Sequence, residues 1–300
     1  MVLAPLALVA TLSASLVAGQ TTALAAKRFN YTNLPYQADT DTGERGTQSG
    51  YNRCNATTAG PDSLCQTAII NSLDDFCLWG PQEAGGVVGN IEGEMVAWCT
   101  QGDKYGARTI PAGALQGVTF VKTPHYVQVT GFIDQSMIDI ASDDDGGEMD
   151  PHGADNRGNP LGGLLFTQAF NGNLNSTAIV NGSAFTQVIQ WHNFMGANVF
   201  CLKACDPSYE DDYAYCEHIY DRVGCNVNAP MDYKNGTYES CLGDDQLPPG
   251  VYVEGGVTST FVQPPEGQVI STLPYVPFTP SSSSCTTFSS AELYVTASVS

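Results

Sequence analysis

Basic side chains are scarce in this 300-residue chain: 11 Lys and Arg stand against 31 Asp and Glu, a formal net charge of −20 at pH 7. A phosphate-binding surface needs a stripe of positive charge, so nucleic acid and anionic membrane surfaces are excluded as partners. Charged residues of both signs make up only 14 % of the chain, so the acidity reflects missing bases rather than abundant acids. Beyond the N-terminus no apolar run reaches the roughly 18 residues needed to span a bilayer, and no transmembrane segment is expected. The CxxC, HExxH and GxSxG patterns are also missing. Zinc–thiolate, His-based zinc and serine-nucleophile chemistry therefore have no motif to rest on. Glycine-rich pieces such as Gly85-Gly86 and Gly162-Gly163 read as turns, not as a phosphate loop. Core material is plentiful. Hydrophobic residues are 42 % and aromatics 10 %, which separates the chain from disordered sequences.

Residues 1–26 carry no charge, begin with an apolar run, and offer Val17-Ala18-Gly19 and Ala23-Leu24-Ala25 as signal-peptidase sites. The dibasic pair Lys27-Arg28 follows, so residues 1–28 read as a secretory leader with a processing site. Ten cysteines in a leader-bearing chain imply disulfides: Cys54, Cys65, Cys77, Cys99, Cys201, Cys205, Cys216, Cys225, Cys241 and Cys285. Pairing within the N-terminal four and within the following five closes the shorter loops, with Cys285 alone in the tail as a tie from the tail's start to the core, although spacing leaves connectivity open. Asn30, Asn55, Asn175, Asn181 and Asn235 each begin an N-glycosylation sequon. The expected product is a secreted glycoprotein, extracellular or bound to a cell wall.

Residues 29–265 read as a disulfide-stapled, mainly β core, a sandwich or barrel with one or two short helices. Short β-branched or aromatic segments bounded by turn residues predict strands over 95–99, 118–122, 126–130, 185–191 and 198–202. Val251–Val253 and Val257–Val262, joined through Gly255-Gly256, predict a hairpin. Ser63 and Gln66 form a capping-box pair, apolar residues recur at helical spacing through Cys77, and Gly80-Pro81 is a stop. A helix is therefore predicted over 63–78, and a second near 208–222. Residues 266–300 read as a Ser/Thr/Pro-rich, O-glycosylated, disordered tail, since 14 of residues 271–300 are Ser or Thr. No apolar run follows it, so a GPI anchor is not expected.

Two acidic segments are the candidate sites. Between Thr123 and Asn156 lie eight carboxylates and no Lys or Arg. Gathered carboxylates repel, and a hard cation such as calcium would offset that repulsion, with Asp143, Asp145, Glu148, Asp150 and Asp155 as its ligands. The EF-hand pattern fails here, and a solvated acidic turn is the plain alternative. The second segment holds six acids and four tyrosines between Asp206 and Asp221. Sugar faces stack on aromatic rings while their hydroxyls bond to carboxylates, which marks Tyr209, Tyr213, Tyr215, Glu217 and His218 as ligand-binding candidates. The competing reading is a disulfide-tethered loop with tyrosines packed on the core. No catalytic residue is assigned.

Several longer strings are specific enough to carry a resemblance: Ala107–Val118, Lys122–Gly131, Gly147–Asp155, Gln190–Phe194, Phe200–Pro207, Tyr215–Asp221 and Leu247–Tyr252. Through them, roughly residues 50–290 resemble the fungal secreted proteins called macrophage-activating glycoproteins. The resemblance implies an extracellular or wall-associated fungal glycoprotein and brings no catalytic site with it. The expected function is thus non-enzymatic binding or a structural role, with cell-wall polysaccharide as the partner. The alternative is a secreted polysaccharide hydrolase or lyase using carboxylates of 143–155 with His152.

Overall fold

The computed structural model describes residues 22–170 and 185–294, so the sequons at Asn175 and Asn181 lie outside the described residues. The chain begins one sheet with β1 (Thr67–Ser72), β2 (Asp75–Gly80), β3 (Val96–Cys99) and β4 (Arg108–Thr109). It then lays β5 (Leu115–Lys122), β6 (Tyr126–Ile133) and β7 (Gly147–Met149) into a second sheet. It returns to the first for β8 (Leu164–Thr167) and β9 (Thr186–Val188). β10 (Trp191–Gly196), β11 (Val199–Cys205) and β12 (Tyr238–Gly243) belong to the second. β13 (Val251–Glu254) and β14 (Val257–Thr260) pair with each other as the expected hairpin, and β15 (Ser282–Phe288) joins the edge of the second sheet. The strand orders are β4-β3-β2-β1-β8-β9 and β15-β12-β5-β6-β11-β10-β7.

The two sheets face each other across one apolar core, as the expected mainly β class requires. Trp79 of β2 stacks on Trp191 of β10 with ring centroids 5.8 Å apart, and Phe76 stacks on Phe200 at 6.0 Å. The Trp79 backbone N–H donates to the Asn193 side-chain oxygen at 2.9 Å, so one buried polar group ties the sheets where the ladder cannot. Five disulfides take up all ten cysteines: Cys54–Cys65, Cys77–Cys99, Cys201–Cys225, Cys205–Cys216 and Cys241–Cys285.

The helix predicted over 63–78 is instead a pair of strands. β1 runs beside β2 on one flank and parallel to β8 on the other, so its residues are apolar on both faces. A strand buried on both faces carries no alternation, and over a short window its apolar spacing imitates a helix. The Ser63 hydroxyl donates to the Gly106 carbonyl and accepts the Cys65 N–H, closing a turn rather than starting a helix. Segment 208–222 holds one helical turn, Asp212–Tyr215, and no longer helix. The strand read over 185–191 is two strands, with β9 in the first sheet and β10 in the second.

Two boundaries also move. The tail from 266 is not uniformly irregular, because Ser282–Phe288 pairs antiparallel with β12 and Cys285 bonds to Cys241. Backbone ladder bonds and one disulfide hold this strand although all its side chains are exposed, so apolar composition was no guide to it. At the other end, the boundary at 28 cuts a packed segment. Leu24 is buried in the core, the Lys27 ammonium donates to the Ala38 carbonyl at 3.0 Å, and the Phe29 N–H donates to Gln187. Leu24→Ala is therefore expected to cost about 2 kcal/mol in urea unfolding, at the lower end for a buried leucine.

Candidate acidic cleft

Strand alternation sorts the second sheet into two layers. On β10, Trp191 and Met195 enter the sandwich core, leaving His192 and Phe194 on the outer face. On β11 the outer positions are Cys201, Lys203 and Cys205, and on β7 the outer position is Glu148, opposite Phe194 in the register. That outer face is covered by the segment after β11, which Cys205–Cys216 and Cys201–Cys225 fasten down. Underneath lies a buried polar layer. Glu148, His192 and Lys203 are all at most 4 % exposed.

Burial shifts all three toward their neutral forms. Burial first, then the charges of Asp150 and Asp221, raises the Glu148 carboxyl well above its ordinary range. Burial lowers the His192 imidazole, with the neighbouring Lys203 second. Lys203 is lowered by burial too; its amine donates to the Asn228 carbonyl and to Gln246 Oε1, and sits 4.6 Å over the Tyr126 ring.

Between the β7–β10 edge and the cover lies a cleft of about 1190 Å³, walled by Glu92, Asp145, Glu148, Ile219, Asp221 and Arg222 among others. Glu92 is pushed up to about 7, by burial first and then by the charges of Asp150 and Asp221. Its Oε2 accepts the Asn159 amide at 2.9 Å. Glu148 Oε1 is buried and has no hydrogen-bond partner among the described residues. At one flank the rings of His152 and His218 stack at 3.8 Å, and burial followed by His152 lowers the His218 pKa. Two carboxyls of raised pKa in one concavity can donate and accept protons near neutral pH.

The residues marked from sequence divide among different environments. The five carboxylates expected to hold calcium are not brought to one point. Asp155 pairs with Arg45, its Oδ2 accepting Nε at 3.0 Å, and Asp150 Oδ1 accepts the N–H groups of His152 and Gly153 at 2.6 and 2.9 Å. Asp143 and Asp145 are exposed, while Glu148 is buried. Among the described residues, the grouping whose candidate ligand atoms lie within 4.8 Å of one another is Glu239, Cys241 and Cys285, and its sulfurs already form a disulfide. Of the ligand-binding candidates, Tyr209 and Tyr215 pack on the His125 ring at 4.2 and 4.9 Å, away from the cleft. Tyr213 is exposed, and Glu217 and His218 lie toward Asp150 and His152. Sequence reading missed Glu92, which nothing marks within Gly89-Asn90-Ile91-Glu92-Gly93 as a partner for Glu148. It also missed Lys203, whose signal was available: no other base lies between Arg157 and Arg222, and this one sits inside a strand.

The chain is 41 % identical over 242 residues to the appressorium protein ROW2 of Mycosarcoma maydis, covering 79 % of this chain and 77 % of ROW2. It is 51 % identical over 205 residues to the appressorium protein ROW1 of the same fungus, covering 68 % of this chain but 46 % of ROW1. The chain belongs to the family of fungal appressorium proteins that these two represent. It spans less than half the length of ROW1. No family model matches the chain, and no solved structure does. No helix among the described residues is long and apolar enough to cross a membrane.

The raised Glu92 pKa sets a direction for stability. An acid whose folded pKa exceeds its unfolded value keeps its proton longer in the folded chain, so its contribution is complete below about 4.5 and is lost as pH rises through about 7. Wild type is expected to lose about 1–2 kcal/mol relative to Glu92→Gln between about pH 5 and about pH 8, after allowing for partial solvent access. Urea unfolding of both proteins across that range is the measurement; parallel pH profiles would contradict it.

Proposed function

We propose that this protein is an extracellular, wall-associated fungal glycoprotein that binds carbohydrate in the acidic cleft. The cleft itself carries the reading: it is open, large enough for several sugar rings, and walled by hydrogen-bonding carboxyls beside apolar surface from Phe194, Ile219 and Phe261. The compartment is supported by five disulfides, which persist in oxidising surroundings, and by relatives named as appressorium proteins. The sequons at Asn30, Asn55 and Asn235 are exposed, as acceptors of N-glycans must be. The resemblance to macrophage-activating glycoproteins fits the same compartment, although a host response describes another organism and is no mechanism. Retention on at least one wall polysaccharide, weakened by Asp221→Asn, is expected when the deglycosylated protein is tested in pull-downs and on a glycan array. Retention by none would sink the carbohydrate reading.

One observation favours a second reading, hydrolysis. Glu92, raised to about 7, beside Glu148, whose carboxyl burial raises as well, resembles a base and acid flanking a glycosidic bond. Of the 143–155 carboxylates expected to act with His152, this pair keeps Glu148 but not His152: Asp150 accepts backbone N–H groups, and His152 bonds Gln190 at 3.0 Å. If the cleft is hydrolytic, wild type releases reducing ends from some polysaccharide and Glu148→Gln lowers the rate by about 100-fold or more while folding is kept. A broad substrate screen without product from wild type removes this reading.

A further inference from the structure

The sign of the cleft narrows its ligand. Five carboxyls line it, Glu92, Asp145, Glu148, Asp221 and Glu266, against one guanidinium, that of Arg222. That guanidinium is already engaged, donating to the carbonyls of Pro264 at 2.8 Å and Pro265 at 3.1 Å, and to that of Gln268. At the floor, Glu148 is 4 % exposed and its Oε1 accepts no hydrogen bond among the described residues. A buried oxygen without a donor is costly, and a concavity of like charges is unfavourable until a cation enters it. A neutral sugar would supply hydroxyl donors and leave the repulsion between Glu92, Asp150 and Asp221 in place. An anionic sugar would increase it. A sugar ring bearing an ammonium group supplies several N–H donors and the missing charge together.

We propose that the cleft takes a polymer of 2-amino-2-deoxy sugars with free ammonium groups. The inference rests on the carbohydrate reading above and adds the ligand's charge to it. Ion-pair binding at this site has a consequence that adsorption to a distant acidic surface lacks. Glu92 is held up by burial and by Asp150 and Asp221, with Arg45 as the opposing cation, and Glu148 is held up further. A bound ammonium favours the carboxylate form of both, so binding expels protons from the complex.

The test is calorimetric titration of the full chain at about pH 6, below the ordinary range of Glu92 in this fold, in buffers of differing ionisation heat. The probes are a glucosamine hexasaccharide, its fully N-acetylated counterpart, a β-linked glucose hexasaccharide and hexalysine. The free-amine sugar is expected to bind at least about tenfold more tightly than the two neutral sugars, with net proton release. Asp221→Asn and Glu148→Gln should each weaken it by about tenfold or more, whereas the double variant Asp62→Asn/Asp103→Asn, which removes two exposed carboxylates outside the cleft, should not. Asp221 is exposed, so its variant remains informative if Glu148→Gln misfolds. Equal affinity for free-amine and N-acetylated sugars overturns this inference and leaves the carbohydrate reading standing. Hexalysine binding as well as the amino sugar shows recognition of charge alone and overturns the inference too. Binding of none of the probes overturns it, and with no polysaccharide retained elsewhere the parent reading falls as well.

Discussion

Alternation along β11 is the constraint on which the outer half of the molecule depends. Leu202 and Ala204 face the sandwich core, which directs Cys201, Lys203 and Cys205 to the other side of the sheet. Two of those three are cysteines, and their disulfides pull the following segment back over the strand that emitted it. Without that fastening, Glu148, His192 and Lys203 would face water and titrate as ordinary groups. With it they are buried, and each pKa moves in the direction that favours the neutral form, because an isolated ion in such surroundings is far costlier than a neutral group.

The cleft follows from the same arrangement. β7 is a three-residue edge strand, and among the described residues no further strand extends the sheet beyond it. The cover passes this edge through Ile219–Arg222 and leaves a gap whose floor is Glu148 and whose far wall is Glu92. Disulfide stapling therefore does more than close loops. It decides which carboxyls are drawn together and which stay in solvent.

Much of the architecture was legible from the residues. The strands of β3, β5, β6 and β11, the Gly255-Gly256 hairpin and the disulfides among the first four cysteines all have local signals, because alternation, turn residues and short loops are short-range matters. Failures arose where a neighbour decided the outcome. β1 looks helical until β2 and β8 are placed on its two sides, and Ser282–Phe288 looks irregular until β12 offers its edge. The acidic segments were correctly singled out as unusual, yet their members scatter: Asp155 goes to Arg45, Tyr209 and Tyr215 go to His125, and the cleft draws instead on Glu92 from a stretch without distinction.

Composition and motif by themselves mark this chain as acidic, cysteine-rich and mainly β. Those properties are sums over residues or patterns within a few positions, so no partner strand is needed to read them. Only the tertiary structure decided which acids share a site and which carboxyls have their pKa raised. Those depend on distances between residues far apart in the chain, Glu92 and Glu148 among them, and on how much water the folded cover excludes. The scarcity of bases acquires its meaning there, because the one guanidinium lining the cleft already donates to carbonyl oxygens, and the cation acting on Glu92, Arg45, is itself paired with Asp155.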